Sequence, residues 1–398
     1  MNPLEAKIAE KIKKEGPITF ETFMKMALYF PGLGYYSSPE TTIGRDGDFY
    51  TSPHLHPVFG AMIGKQLMEM WALMGRPSDF HAVEIGAGTG YLCKDMFDYL
   101  VKPSEDPSLS EDKSEFLRSL RYVIVEPYGH FQKRQKELLQ GTMKNLSMPP
   151  FCIGGEEGNI LWRTSLRGFP SGIKGCVLSN ELLDAFPVHL IEMDDGLKEV
   201  YVTCDGEKFR EELHQTSTDE IARYISQFHI QLQPGYRTEI NLEIKKWLED
   251  INTVLSEGFL LTIDYGYTAK EYYDEHRSKG TLLCYHKHLF NENPYQNIGE
   301  QDVTAHVNFS SLKKWGEEFG LMTIGYSSQG PFLVSSGIDE VITELYAESP
   351  DYLSEISKIK GLILPQGMGE SHSIIIQYKG EQLPELRGFS IRNHVENL

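Results

Sequence analysis

Three glycines alternate with other residues in the segment EIGAGTG at residues 84–90. An apolar stretch precedes this segment, and a pattern typical of a helix follows it from Tyr91. Glycine adopts the backbone conformations of a tight turn between a strand and a helix, and it lets a ligand lie directly against the main chain. In open α/β sheets, ligands bind at the carboxyl ends of the strands, where such turns lie. Residues 84–90 are therefore a candidate nucleotide-binding loop.

The residues around these glycines favour one kind of nucleotide over another. A dinucleotide fingerprint places glycine or alanine where Tyr91 stands, and it needs no acid where Glu84 stands. A nucleotide without a pyrophosphate has less need of small residues at the start of the helix. The spacing therefore favours S-adenosyl-L-methionine over NAD, with the cofactor held by Glu84, Gly86, Gly88 and Gly90.

A second acid ends the next predicted strand, which covers residues 122–126. A carboxylate at this strand tip can accept hydrogen bonds from both ribose hydroxyls, so Glu126 is the candidate ribose ligand. Glu126 lies farther beyond Gly90 than the roughly 20 residues that are usual. The polar segment 102–114, which we expect to be a mobile loop, accounts for most of the excess.

Asn180, Glu181 and Asp184 follow a third apolar stretch. We expect this strand to lie beside the glycine-loop strand, which places Asn180 and Glu181 near the reactive end of the cofactor. Glu181 and Asp184 would share a face if a helix begins there. Two carboxylates can bind a guanidinium group, so an arginine acceptor is chemically reasonable. The residues alone leave a carboxylate, a hydroxyl or a small amine open as the acceptor.

Strands and helices alternate from residue 80 onward, which predicts a doubly wound α/β fold, a parallel sheet with helices on both faces. The last strand is expected to be antiparallel. We predict a helical and hairpin lid over residues 1–78 and a methyltransferase domain over 79–398, with insertions at about 190–250 and 331–370. The predicted strands cover residues 81–85, 122–126, 174–179, 258–264, 321–326 and 373–378.

The overall charge argues against a nucleic-acid substrate. The chain has 398 residues, with 57 acidic and 38 basic side chains and a net charge of −19. A chain of this sign repels phosphate backbones and fits a basic partner, such as an arginine-bearing protein segment. No apolar run reaches the roughly 18–20 residues of a membrane helix, so we predict no membrane insertion.

The five cysteines form no C-x-x-C pair, which indicates neither a disulfide framework nor a structural zinc site. His54 and His56 flank Leu55, but no third ligand follows at useful spacing, so we predict no metal. Acidic residues near the N-terminus disfavour a transit peptide. We therefore expect a cytoplasmic protein, or a mitochondrial one only if a targeting segment was removed.

Several motifs, taken together and in order, resemble one known family. They are YY at 35–36, IGRDGDFYTSP at 43–53, VEIGAGTG at 83–90, SNELLDAFPV at 179–188, IDYG at 263–266 and DVTAHV at 302–307. This combination is similar to the MidA family, a bacterial and mitochondrial group that includes the mitochondrial complex I assembly methyltransferase. The resemblance covers most of the chain and is more specific than any single motif.

The resemblance implies a class I, Rossmann-like methyltransferase fold and S-adenosyl-L-methionine as cofactor. It also implies methylation of arginine in a protein, with a symmetric dimethyl product; the mitochondrial member acts on a respiratory complex I subunit. Beside the residues already named, the resemblance places Gly47, Asp48 and Thr51 over the cofactor. It places His306 and Asp302 near the acceptor pocket.

The candidate catalytic residues are Glu181, Asp184, His306 and Asn180. His306 could act as a general base, although a buried structural histidine explains it equally well. Asn308 stands where the family pattern leads us to expect an acid, which puts an acidic role at that position in doubt.

Two other classes of protein stay open. A non-catalytic assembly factor would bind the cofactor without transferring its methyl group. A small-molecule methyltransferase would have a closed, apolar acceptor pocket, whereas a protein methyltransferase needs an open, acidic groove. A third class, an NAD enzyme, is disfavoured by Tyr91.

Overall fold

The computed structural model describes residues 1–41, 51–145, 149–153, 155–169, 172–206 and 208–398. Two compact units interleave along the chain, and each is described by itself. The first unit comprises Met1–Phe49, Leu183–Lys246 and Gly266–Leu312, and the second comprises Tyr50–Leu182, Trp247–Tyr265 and Lys313–Leu398. The predicted division into residues 1–78 and 79–398 is a different partition and stays a prediction.

A single large sheet forms the core of the second unit. The strand Ile173–Asn180 lies at its centre and pairs in parallel with Phe80–Ile85 on one side and Leu255–Tyr267 on the other. The strand His372–Lys379 runs antiparallel to Leu255–Tyr267. Across the sheet the strands follow in the order Met322–Ser328, His372–Lys379, Leu255–Tyr267, Ile173–Asn180, Phe80–Ile85, Leu120–Val125 and Ile160–Arg163. The predicted α/β fold with an antiparallel last strand is confirmed.

Burial explains why these strands could be recognised in the sequence. Parallel strands covered on both faces have nearly continuous apolar runs, and Leu120–Val125 is buried at all but one position. A short antiparallel pair, Phe151–Ile153 with Glu156–Gly158, lies apart from the large sheet. The α-helices that lie wholly within this unit are Ser52–Leu55, Val58–Leu73, Tyr91–Val101, Pro107–Ser119, Gly129–Asn145, Gln329–Ser335, Ile338–Tyr346 and Tyr352–Ile363, and two 3-10 helices cover Arg387–Phe389 and Val395–Asn397.

The expectation of a mobile loop over residues 102–114 is wrong, because a helix covers Pro107–Ser119. The side chain of Asp106 caps the helix and accepts a hydrogen bond of 2.9 Å from the backbone nitrogen of Ser108. Proline is favoured at the first helical position, which Pro107 occupies. The polar composition hid this helix, since few of its side chains, among them Phe116, are buried.

The first unit combines small sheets with short helices. The side chains of Asn2 and Thr19 cap the first turns of the helices Pro3–Glu15 and Phe20–Tyr29. The remaining α-helices within the unit are Asp219–Gln227 and Ala269–Tyr272, and the 3-10 helices are Leu183–Ala185 and Glu275–Arg277. The strands are Ile18–Thr19, His189–Asp194, Gly196–Asp205, Lys208–His214, Arg237–Ile240, Leu283–His286, Leu289–Asn291, Asp302–Thr304 and Val307–Asn308.

Two helices, Glu243–Val254 and Phe309–Glu318, contain residues of both units. Each unit has its own cluster of buried apolar side chains. Among the described residues, the helices are all too short or too polar to cross a membrane.

Candidate active site

The glycine loop connects the strand Phe80–Ile85 to the helix Tyr91–Val101, as the sequence predicts. Its three glycines all have positive φ angles, 73° at Gly86, 52° at Gly88 and 90° at Gly90. Residues with a Cβ rarely adopt this conformation, which explains why glycine occupies these positions. A Cβ added at Gly88 would meet no atom of the described residues within 4 Å, whereas one at Gly86 would lie 2.8 Å from Leu182 Cδ1. The turn therefore presents open space at Gly88.

Glu84 lies within the core beneath this loop. Glu84 is only 3% exposed, and its Oε2 accepts a hydrogen bond of 2.8 Å from the hydroxyl of Tyr122 on the neighbouring strand. Burial raises the pKa of Glu84 to about 7. The bond ties the two strands that carry Glu84 and Tyr122. This geometry favours a supporting role beneath the loop, and direct binding of the cofactor by Glu84 stays a prediction.

Glu126 follows the neighbouring strand and is 4% exposed. Its Oε1 accepts from the backbone nitrogen of Tyr128 at 3.1 Å, and its Oε2 accepts from Nε2 of Gln135 at 3.3 Å. Burial, the largest influence, raises the pKa of Glu126 to about 7. The same Gln135 nitrogen donates to the carbonyl oxygen of Gly88 at 2.8 Å. Gln135, which sequence reasoning missed, therefore joins the ribose candidate to the glycine loop.

His54, from another segment of the same unit, contacts the glycine loop and joins Thr51 to it. Nδ1 of His54 lies 2.6 Å from Oγ1 of Thr51, and Nε2 lies 2.9 Å from Oγ1 of Thr89. The imidazole thus links the predicted cofactor residue Thr51 to the loop. Gly47 and Asp48 lie outside the described residues.

Glu181 stands immediately beyond the central strand in a left-handed conformation, with φ of 49°. For a residue with a side chain this conformation costs about 1–2 kcal/mol, and such residues cluster at functional sites. Its Oε1 accepts from the backbone nitrogen of Ser52 at 3.2 Å and from Nδ2 of Asn180 at 3.1 Å. Nε2 of His372 lies 3.6 Å from the same oxygen. The Glu181 side chain is 7% exposed.

Asn180 is the last residue of the central strand, and only one of the two polar atoms of its side-chain amide is hydrogen-bonded to a described residue. Its Nδ2 donates to Glu181, while its buried Oδ1 has no hydrogen-bond partner among the described residues. A buried acceptor without a donor is costly, by about 1–3 kcal/mol. A donor group of a bound ligand would satisfy it.

Asp184 belongs to the first unit, in the 3-10 helix Leu183–Ala185, while Glu181 belongs to the second. The left-handed backbone conformation of Glu181 is incompatible with a right-handed helix, so no helix contains both acids. The condition for a shared helix face is therefore not met, and joint binding of an acceptor by the two carboxylates stays a prediction.

Asp302 is buried in the first unit beside Tyr36. The hydroxyl of Tyr36 lies 2.9 Å from both Asp302 carboxylate oxygens. The pKa of Tyr36 is well above its ordinary value, first because of burial and then because of the charges of Asp302, Tyr29 and Asp184. Asp184 and Asp302 therefore both raise the pKa of Tyr36, and the sequence does not predict this link between them.

His306 stacks its ring on Tyr267, with centroids 5.2 Å apart and an angle of 3° between the planes. The guanidinium carbon of Arg277 lies 3.8 Å from the centroid of the same tyrosine ring. These contacts hold the imidazole in one orientation, and a catalytic role for His306 stays a prediction. Asn308 accepts from the Ser310 nitrogen at 3.0 Å and donates to the Tyr224 hydroxyl at 2.7 Å.

His54 and His56 have separate partners, since Nε2 of His56 lies 2.7 Å from Oε2 of Glu355. In the described part of the chain, no group of three or more histidine, cysteine, aspartate or glutamate residues could hold a metal ion.

Three features of the second unit test whether its residues fit S-adenosyl-L-methionine. Gly88 leaves space for a ligand against the backbone. Glu126 offers a buried carboxylate for the ribose hydroxyls, and Asn180 offers a buried oxygen that lacks a donor among the described residues. An adenosyl amino acid carries donors for both, so the residues fit this cofactor. The sheet order and this loop define a class I methyltransferase that uses S-adenosyl-L-methionine.

The chain belongs to the Methyltransf_28 family of S-adenosyl-L-methionine-dependent methyltransferases, whose family model matches residues 62–327. It is 28% identical over 397 residues to the Drosophila melanogaster protein arginine methyltransferase NDUFAF7 homolog, mitochondrial, with 95% of this chain and 85% of the relative covered. The corresponding protein of Homo sapiens is 28% identical over 383 residues, with coverages of 93% and 82%.

A crystal structure of a COG1565 superfamily member from Burkholderia thailandensis is similar along nearly its whole length. The two chains are 28% identical, with a TM-score of 0.85 and coverage of 99% of this chain and 96% of the other. That crystal structure contains bound S-adenosyl-homocysteine, which agrees with the predicted cofactor.

Proposed function

We propose that this methyltransferase acts on an arginine side chain of a protein and that the carboxylate of Glu181 binds the guanidinium group. The observation that carries the proposal is the asymmetry of this carboxylate. Oε1 accepts from Ser52 and Asn180, while no described residue forms a hydrogen bond with Oε2. A guanidinium supplies two parallel N–H donors, which suit a fixed carboxylate.

The side chains have distinct tasks in this proposal. S-adenosyl-L-methionine supplies an electrophilic methyl group when it is bound. Glu126 binds the ribose hydroxyls, and Asn180 binds a donor of the methionine end. Glu181 attracts the positive charge of the acceptor and orients one guanidinium nitrogen for methyl transfer, after which that nitrogen releases a proton. Binding, orientation and electrostatics are what a protein contributes to a reaction whose activated group comes from the cofactor.

Two observations support a protein acceptor, namely the names of the relatives and the net charge of the chain. The relatives from Drosophila melanogaster and Homo sapiens are named protein arginine methyltransferases. The net charge of −19 suits a basic protein segment. We extend the proposal to a subunit of a respiratory complex as substrate and to symmetric dimethylarginine as product, which the sequence resemblance implies. The roles of Gly47, Asp48 and His306 stay predictions. A cytoplasmic location also stays a prediction, because these relatives are named mitochondrial.

The test is transfer of a labelled methyl group from S-adenosyl-L-methionine to proteins of a cell lysate, followed by acid hydrolysis and identification of the labelled amino acid. We expect methylated arginine. Label only in the small-molecule fraction would instead indicate a small-molecule methyltransferase, and cofactor binding without any transfer would indicate an assembly factor. Either result would contradict the proposal.

The variant Glu181→Gln keeps the shape of the side chain and removes its charge. We expect it to bind the cofactor within about threefold of the unmodified protein and to lose at least about 100-fold in turnover, the size of effect for a buried charged contact. The matched control is Glu381→Gln, at an exposed position of the same unit, with unchanged turnover. Equal turnover of the two variants would remove Glu181 from the reaction.

A further inference from the structure

His372 occupies a position in the second unit that the proposed mechanism does not yet use. It is the first residue of the last strand and pairs with Tyr265 across the antiparallel ladder. That pairing places it at the edge of the sheet where the parallel strands end, the same edge as Glu181 beyond the central strand. Nε2 of His372 lies 3.6 Å from Oε1 of Glu181, and the two side chains are 9% and 7% exposed.

The contacts of the imidazole define which nitrogen faces Glu181. Nδ1 lies 3.0 Å from Oγ of Ser371, and the edge of the ring contacts Tyr265 with centroids 5.7 Å apart. Nε2 is buried and has no hydrogen-bond partner within the described ranges. Oγ of Ser371 also lies 3.5 Å from the carbonyl oxygen of Gly367, but its contact with Nδ1 is the shorter of the two. With the hydroxyl donated to Nδ1, the ring proton resides on Nε2 and is directed at Glu181.

Donors from three different elements then converge on one carboxylate oxygen. Ser52 begins a short helix, Asn180 ends the central strand, and His372 begins the last strand. The first two are hydrogen-bonded to Oε1, at 3.2 and 3.1 Å, and His372 needs to approach by only a few tenths of an ångström, since N–H···O bonds extend to about 3.2 Å. Convergence on Oε1 fixes the rotation of the carboxylate and leaves Oε2 for another group.

We propose that His372 is a positioning residue for Glu181: its Nε2–H holds Oε1, so that Oε2 faces the cationic group of the acceptor. This inference rests on the proposed function of Glu181. The imidazole contributes to turnover because a carboxylate held in one orientation needs no rearrangement when the acceptor binds. It does not contribute to cofactor binding.

The first test needs no activity. The ¹⁵N chemical shifts of histidine-labelled protein report the tautomer of each ring, and the signals missing in His372→Phe assign this residue. We expect the Nε2–H tautomer for His372 in the unmodified protein and a change of its shifts in Glu181→Gln. The Nδ1–H tautomer, or shifts that are the same in both proteins, would overturn the inference.

The second test separates positioning from folding. His372→Phe keeps a ring of similar size without a donor, and we expect a loss of about tenfold or more in kcat with cofactor affinity within about twofold. His372→Gln places an amide N–H near the former Nε2, and it should recover kcat to within about threefold of the unmodified protein. Equal defects in the two variants, or normal kcat in His372→Phe, would contradict the role.

A matched control is His276→Phe, whose side chain is 83% exposed in the first unit; it should leave kcat and cofactor affinity unchanged. Failure of the unmodified protein to methylate arginine would refute the proposed function. The tautomer experiment would still decide whether His372 holds Glu181, so the two failures are distinguishable.

Discussion

Gln135 donates a hydrogen bond of 2.8 Å to the carbonyl oxygen of Gly88, and the same nitrogen lies 3.3 Å from Oε2 of Glu126. Its own Oε1 accepts from Nε1 of Trp162 at 3.0 Å. One buried amide therefore fixes both the glycine loop and the carboxylate expected to bind ribose. The two parts of the cofactor site depend on a residue that needs no contact with the cofactor itself.

The variant Gln135→Leu is expected to weaken cofactor binding by roughly tenfold to a hundredfold, because a hydrogen bond to a charged group contributes about 1.5–3 kcal/mol. Isothermal titration with S-adenosyl-L-methionine measures the change. Gln140→Leu, at an exposed position of the same helix, is the control and should bind as the unmodified protein does. Equal affinities for the two variants would show that Gln135 only fills space.

The fold could be predicted from the sequence because the strands of the central sheet are buried and apolar. The predicted strand 258–264 lies within Leu255–Tyr267, and the predicted strand 373–378 lies within His372–Lys379. The glycine loop was equally visible, since the positive φ angles of its turn restrict the residue type. The helix Pro107–Ser119 was missed because its exposed face dominates its composition.

The contacts around Glu181 could not be predicted, since they join segments far apart in the chain. Ser52 and Glu181 are 129 positions apart, and no local pattern relates two such residues. The left-handed conformation of Glu181 also has no signal, because the sequence has no glycine there. Gln135 and His372 are ordinary residues of a helix and a strand until their partners are known.

Cofactor affinity is expected to depend on pH through Glu126. Burial raises the pKa of this carboxyl to about 7, above its ordinary value of 4.5, so the unliganded protein takes up a proton there as the pH falls through neutrality. Hydrogen bonds from ribose hydroxyls favour the ionised form. Affinity should therefore rise with pH through about 7 and level off above it, with a difference of about tenfold between pH 6 and pH 8.

Titration calorimetry across this range measures the slope. Glu126→Gln should bind more weakly and with little dependence on pH. Glu84→Gln is the matched control, because burial also raises the pKa of Glu84 to about 7, yet its carboxylate is bonded to Tyr122. It should keep the slope. A slope that survives in Glu126→Gln, or vanishes only in Glu84→Gln, would assign the titration to another group.

Gly88→Ala separates the strain of the loop from the space that the loop keeps open. At this position φ is 52°, and an added Cβ meets no atom of the described part of the chain within 4 Å. The substitution should therefore destabilise the fold by only about 1–2 kcal/mol, the cost of a left-handed residue with a side chain. The new methyl group would lie where the ligand approaches the backbone, so we expect at least about a tenfold loss of cofactor affinity.

The control is Gly75→Ala, because Gly75 has a φ of 80° and, among the residues that the structure describes, likewise no atom within 4 Å of an added Cβ. Both variants carry the same kind of strain, but Gly75 lies outside the glycine loop. Thermal unfolding should show similar losses of stability for the two, and only Gly88→Ala should lose cofactor affinity. Similar affinities in both variants would mean that the ligand does not lie against Gly88, since backbone strain would then account for the whole effect.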